Sequence, residues 1–146
     1  MISQHFSWEE AAHTDTGLPN EIPDALCANV QRLAEEVLEP LRVLLGPLHV
    51  NSWYRSPEVN EAVGGEKSSY HLQGLAVDVV PMGSCLDKFK MALTLLDELP
   101  IDKIILETRK SQWIHIQTNM DGMPPRHQAL TAKSVNGKMV YSVYEA

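Results

Sequence analysis

An aspartate stands in the middle of an apolar, β-branched run, Leu75-Ala76-Val77-Asp78-Val79-Val80. The run has the length and composition of a buried strand. A carboxylate buried in such a strand is destabilising by on the order of several kcal/mol unless it is paired or bound to a metal. Any fold open to this chain therefore has to bring a partner to Asp78. Seven residues upstream lies His71, within Ser69-Tyr70-His71-Leu72-Gln73-Gly74, where the glycine lets the chain turn tightly before the strand. Imidazole and carboxylate are ligands that zinc accepts. The alternatives at this point are that Asp78 caps a loop or pairs with Arg55, and that His71 is an ordinary hydrogen-bonded surface residue.

A second histidine shifts the balance. The segment KIILE from Lys103, the polar break TRKSQ and the run WIHIQ predict a hairpin with a five-residue loop, Thr108 to Gln112. Strand alternation puts His115 on the face opposite Ile114 and Ile116. Glu107 then faces Trp113 across the hairpin and lies on the same face as His115, roughly 7 Å from it as a diagonal neighbour. His71, Asp78 and His115, with a further carboxylate beside them, make the donor set and base of a hydrolytic metal site with a position left for water.

The rest of the chain predicts the scaffold. Ser7 and Glu10 have capping-box spacing, so a short helix begins near Trp8. Leu26, Val30, Leu33, Val37, Leu41 and Leu44 trace one apolar helix face, kinked or split at Pro40 and ended by Gly46-Pro47. His49 to Trp53 is a short strand, and Ser56-Pro57 starts a small helix that Gly64-Gly65 ends. A third helix is expected from about Leu86 to Leu99, closed by Pro100. Asn136-Gly137, between Ala129–Ser134 and Lys138–Val143, marks a terminal hairpin. These elements predict one α+β domain over residues 1–146, a small antiparallel sheet with helices packed on it.

Nineteen acidic against twelve basic residues leave a formal charge of -7, which argues against nucleic acid as a partner. No signal peptide and no transmembrane stretch is evident, so the expected product is cytoplasmic at synthesis and makes no membrane contact. A monomer is expected, although no sequence feature reads out the oligomeric state. Cys27 and Cys85 lack CxxC spacing and are expected to be reduced and buried.

YRSPEVNEAVGG, SYHLQGLAVD in the pattern SxHxxGxAxD, and WIHI together resemble the peptidase M15 family, the zinc D-Ala-D-Ala carboxypeptidases and murein endopeptidases. The resemblance runs from about residue 5 to the end and is strongest to the short phage and prophage-type members. It implies a hedgehog- and DD-peptidase-like zinc fold, with one zinc ion per chain on His71, Asp78 and His115. It further implies that Glu107 is the catalytic base and that Arg55 binds the substrate carboxylate or polarises the scissile carbonyl. Ser69 belongs to the SxH element and, with Trp113, is expected to line the substrate site. Many members carry the glutamate three residues before the last histidine, where this chain has Gln112. A surface alternative for Arg55 is pairing with Glu58 or Glu61. His5, His13, His49 and His127 have no ligand spacing.

The expected function is a zinc-dependent peptidase acting on a peptidoglycan stem peptide or cross-link, as a D,D-carboxypeptidase or endopeptidase. It would be phage or prophage encoded and reach the cell wall after release from the cell. The alternative is a non-enzymatic zinc-binding phage structural or wall-binding domain, for which a fourth protein ligand would be expected.

Overall fold

The computed structural model describes residues 1–145. Its first helix, α1 (Trp8–Ala11), begins with the predicted capping box: the Ser7 hydroxyl accepts from the Glu10 backbone, and the Glu10 carboxylate accepts from the Ser7 backbone. The main helix runs as α2 (Asp24–Leu33), a π-helical turn (Ala34–Leu38) and α3 (Glu39–Leu45). Pro40 neither breaks it nor splits it. Instead the Glu39 N–H reaches back five residues to the Ala34 carbonyl, which widens the turn next to the proline ring. The extra residue rotates the apolar face beyond it, so Leu38, Leu41 and Leu45 are buried while Leu44 is exposed, contrary to the expectation for Leu44.

Six strands form one sheet, β1 (Leu48–Ser52), β2 (Ala76–Pro81), β3 (Lys103–Thr108), β4 (Gln112–Gln117), β5 (Gln128–Val135) and β6 (Lys138–Val143), in the order β1-β2-β4-β3-β5-β6. All pairings are antiparallel except β3 with β5, which is parallel. The β3–β4 hairpin has the expected register, Glu107 opposite Trp113, but Thr108 pairs with Gln112, so the loop is three residues rather than five. In the terminal hairpin Asn136 and Gly137 both have positive φ, 51° and 81°, as a two-residue turn matched to strand twist requires.

The helix α4 (Pro57–Ala62) carries the predicted Ser56 cap and N-terminal proline. The helix α5 (Cys85–Leu93) stops short of the expected Leu99. Beyond it the backbone closes in tighter turns, Leu95 N–H to Ala92 and Leu96 N–H to Leu93, and the Thr94 hydroxyl caps the Met91 carbonyl. Cys85 is buried and Cys27 only partly so; both are free thiols.

Alternation gives the sheet two unlike faces. Val77, Ile116 and Ile104 form one row across β2, β4 and β3, and Val79, Ile114 and Leu106 form the next. Both rows pack into the core with Val30, Leu33, Val37, Leu38, Leu41 and Leu45 from the main helix and Phe89 from α5. The intervening row, Asp78, His115 and Ile105, points the other way. Helices cover one face and polar chemistry occupies the other. Among the described residues no helix is long and apolar enough to cross a membrane.

Candidate metal centre

Asp78 and His115 are direct cross-strand partners between β2 and β4. His71 reaches them from a 3-10 turn, Tyr70–Gln73, that the chain makes just before β2. Gly74 ends this turn with φ of 71°, and a Cβ there would stand 2.7 Å from Val30 Cγ2, so both conformation and space require glycine. The segment Trp53–Arg55 locks onto the same turn. Trp53 Nε1 donates to the Gly74 carbonyl at 3.0 Å, the Arg55 N–H to the His71 carbonyl at 3.0 Å, and His71 Nδ1 lies 2.7 Å from the Trp53 carbonyl. The Ser69 hydroxyl accepts from the His71 N–H at 3.2 Å, so its observed contact is a cap on the ligand's own backbone.

His71, Asp78 and His115 each offer a donor atom, all within 4.8 Å of one another, and together they can hold a metal ion. Asp78 Oδ1 lies 3.1 Å from His115 Nδ1 and Asp78 Oδ2 lies 3.4 Å from His71 Nε2. Ligands at about 2.0–2.1 Å on a tetrahedral zinc ion stand roughly 3.3 Å apart, so the observed separations fit that ion. The protonation pattern fits as well. The Trp53 carbonyl only accepts, so His71 Nδ1 carries its proton and Nε2 turns a lone pair toward the Asp78 carboxylate. Two acceptors facing each other in a buried site call for a cation between them. Among the described residues this group has three members, with no fourth histidine, cysteine, aspartate or glutamate.

The charges reinforce one another. Burial depresses the His71 pKa, against the opposing pull of Asp78. Burial would raise that of Asp78, but the neighbouring His71 and His115 hold it well below the usual carboxylate range. For His115 burial acts downward and is outweighed by the hydrogen bond and charge of Asp78, so its pKa is raised. Arg55 pairs with Asp78 at 3.3 Å, not with Glu58 or Glu61, and is steadied by Ser52 Oγ at 3.0 Å and Asn60 Oδ1 at 3.3 Å. The three-donor group and the Arg55–Asp78 ion pair, posed as alternatives for Asp78, are both present in the fold.

Glu107 lies on the same face as His115, nearly buried, and accepts from the Trp113 indole N–H. Burial, then the charge of Asp78, raises its pKa; His115, the indole and Arg55 oppose this only in part. Gln112 is exposed, and its side chain donates to Thr108 Oγ1 on the hairpin rim. His127 contacts the Leu96 carbonyl and His5 contacts Glu39, so neither joins the cluster.

Four residues around the site have little signature in the sequence. Gln117 lies 2.8 Å from His115 Nε2, and alternation alone, two residues past a ligand on the same strand, was the available clue. Asp102 and Arg126 stand behind Gln117 and had none. Tyr141 shares a row with Glu107 through Ala132; burial, then the charge of Glu107, raises the pKa of its phenol.

The family described as Peptidase M15 matches residues 4–117, which include every member of the cluster, Arg55 and Glu107 but leave β5 and β6 outside. No curated protein gives a significant match.

Proposed function

The chain belongs to the peptidase M15 family, and from that premise we propose that it is a zinc-dependent peptidoglycan peptidase, cleaving a stem-peptide or cross-link bond next to a D-amino acid. The observation that carries the proposal is the three-donor group of His71, Asp78 and His115 with a buried carboxylate on the same sheet face. A zinc ion bound there supplies Lewis-acid polarisation and acidifies water. The remaining work falls to the side chains. Glu107, its Oε2 held by the Trp113 indole, takes a proton from the attacking water and returns it to the leaving amine. Its raised pKa makes it a stronger base than an exposed glutamate. Arg55 commits three of its five N–H donors to Ser52, Asn60 and Asp78. The other two serve the substrate carboxylate or the oxyanion that develops at the scissile carbonyl. Trp113, half-buried beside Glu107, borders the same face. The resemblance to phage and prophage members supports action on the wall after release from the producing cell.

Incubating the zinc-loaded protein with purified peptidoglycan, with and without chelator, tests the proposal. Released D-alanine marks a carboxypeptidase and loss of cross-linked dimers an endopeptidase. Glu107→Gln is expected to lower turnover by about 100-fold or more while zinc is still bound. Peptidoglycan untouched by the zinc-loaded protein would overturn the proposal, and full activity in the variant would remove Glu107 from the mechanism.

A further inference from the structure

A chain of hydrogen bonds leads away from the metal cluster into the protein. Gln117 Oε1 lies 2.8 Å from His115 Nε2, and Gln117 Nε2 lies 2.8 Å from Asp102 Oδ2. Asp102 has no exposed surface. Its Oδ1 accepts from the Arg126 backbone N–H and Nε, both at 2.9 Å, and from Asn119 Nδ2 at 3.4 Å; its Oδ2 also accepts from Arg126 Nη2 at 2.8 Å. Burial alone would raise the Asp102 pKa, and the Arg126 hydrogen bonds outweigh it, so the group is a carboxylate.

The direction of every bond follows from that charge. A carboxylate only accepts, so Gln117 must turn its NH2 to Asp102 and its carbonyl to His115. That carbonyl also only accepts, so His115 Nε2 must carry a proton. In the neutral ring the lone pair is then at Nδ1, which faces Asp78 Oδ1 at 3.1 Å.

We propose that Asp102, clamped by Arg126, acts through Gln117 to set the tautomer of His115, so that Nδ1 is presented to the metal shared with Asp78 and His71. The proposal deepens the metal-binding part of the function proposed above and rests on it. The two ligand histidines are oriented by different means, His71 by the Trp53 main-chain carbonyl and His115 by the Gln117 side chain at the end of its own strand, which Asp102 and Arg126 hold from outside β4. Such outer partners fix ring orientation and raise the basicity of metal-bound imidazole. Gln117, Asp102 and Arg126 are positioning residues.

Asp102→Asn is the sharpest test, because it inverts the order of donors. Oδ1 serves three donors and Oδ2 two, so the new amide nitrogen goes to the Oδ2 side and faces Gln117. Gln117 must then flip and offer NH2 to His115 Nε2. Nitrogen-15 NMR of the metal-free protein, at a pH where His115 is neutral, is expected to show an Nε2 proton in the wild type and a shift toward an Nδ1 proton in the variant. Chelator competition with zinc alone is expected to show binding weakened by about 10–100-fold. Gln117→Leu, which leaves the Asp102–Arg126 pair intact, is expected to lose zinc affinity by a similar factor and serves where Asp102→Asn fails to fold. An Nδ1 proton in the wild type overturns the proposal. So does zinc affinity within about threefold of wild type in the variants that fold, the mark of a purely structural role. The tautomer is read without metal or substrate, so a protein that leaves peptidoglycan intact overturns the peptidase reading and not this one.

Discussion

Glu107 pairs with Trp113 across a hairpin and keeps only 8% of its surface exposed. Burial and Asp78 both favour its neutral form, so in the metal-free protein its carboxyl is expected to titrate above the ordinary value of 4.5, measurable by carbon-13 NMR. The linkage has a definite sign. A raised folded pKa gives stability that is complete below the unfolded value and lost as pH rises through the folded one. Glu107→Gln is therefore expected to gain stability relative to wild type as pH rises above the ordinary value of 4.5 and to keep that gain at higher pH, as measured by urea unfolding without metal. Arg55 offers a second test at this scale. A Cβ on Gly65 would stand 2.1 Å from Asn60 Oδ1 and 3.0 Å from Arg55 Nη1. Asn60 is buried and tied to the Glu66 carbonyl, so it has little room to give. Gly65→Ala is expected to displace Arg55 and cut peptidase turnover by about 10-fold or more, with zinc affinity little changed.

Among the elements, the helix through Pro40 departs most from simple periodicity. Local spacing placed Leu41 and Leu44 on one face, and the π-turn moved the second position to Leu45, 1% exposed against 37% for Leu44. Leu45→Ala is expected to destabilise the protein by about 2–5 kcal/mol and Leu44→Ala by about 0.5 kcal/mol or less, compared by chemical denaturation. The β3–β4 hairpin shows the opposite outcome. Its loop is three residues long against the five predicted, yet Glu107 still meets Trp113, because Thr108 and Gln112 pair inside the expected loop and the register is unchanged. Register, rather than loop length, places Glu107 beside His115.

At the scale of the whole molecule, a fully packed helical face supports a polar one. Asp78, Asp102 and Glu39 all have carboxyls held below their ordinary pKa despite burial, Asp78 by His71 and His115, Asp102 by Arg126, and Glu39 by Ser3 and His5. Each contributes stability that is present above its unfolded pKa and lost as pH falls through the folded one. The metal-free protein is therefore expected to lose stability below about pH 4, and Asp102→Asn to lessen that slope in acid-unfolding curves. Zinc at about 100 times its dissociation constant is expected to add about 2.7 kcal/mol of stability near neutral pH, seen as a raised melting temperature. His71→Ala is expected to abolish that rise.

Much of the site was legible in the chain because its parts obey local rules. Asp78 was conspicuous as a charge in an apolar run, His71 by its motif, and His115 and Glu107 by strand alternation, which needs only neighbouring residues. The α+β class, the Ser7 and Ser56 caps and the Asn136-Gly137 turn are likewise local. The π-turn at Pro40, the early end of α5 and the parallel docking of β5 on β3 were settled by packing, which can override periodicity where a different turn buries more apolar surface. The chain from His115 to Arg126 is tertiary throughout. Asp102 and Arg126 lie 24 residues apart and meet only when the loop before β3 and the segment before β5 fold together. No local pattern marks such partners, because a hydrogen bond depends on distance in space and not on separation along the chain. The residues alone thus determined which groups would gather around Asp78, and the folded sheet decided which nitrogen of His115 faces it.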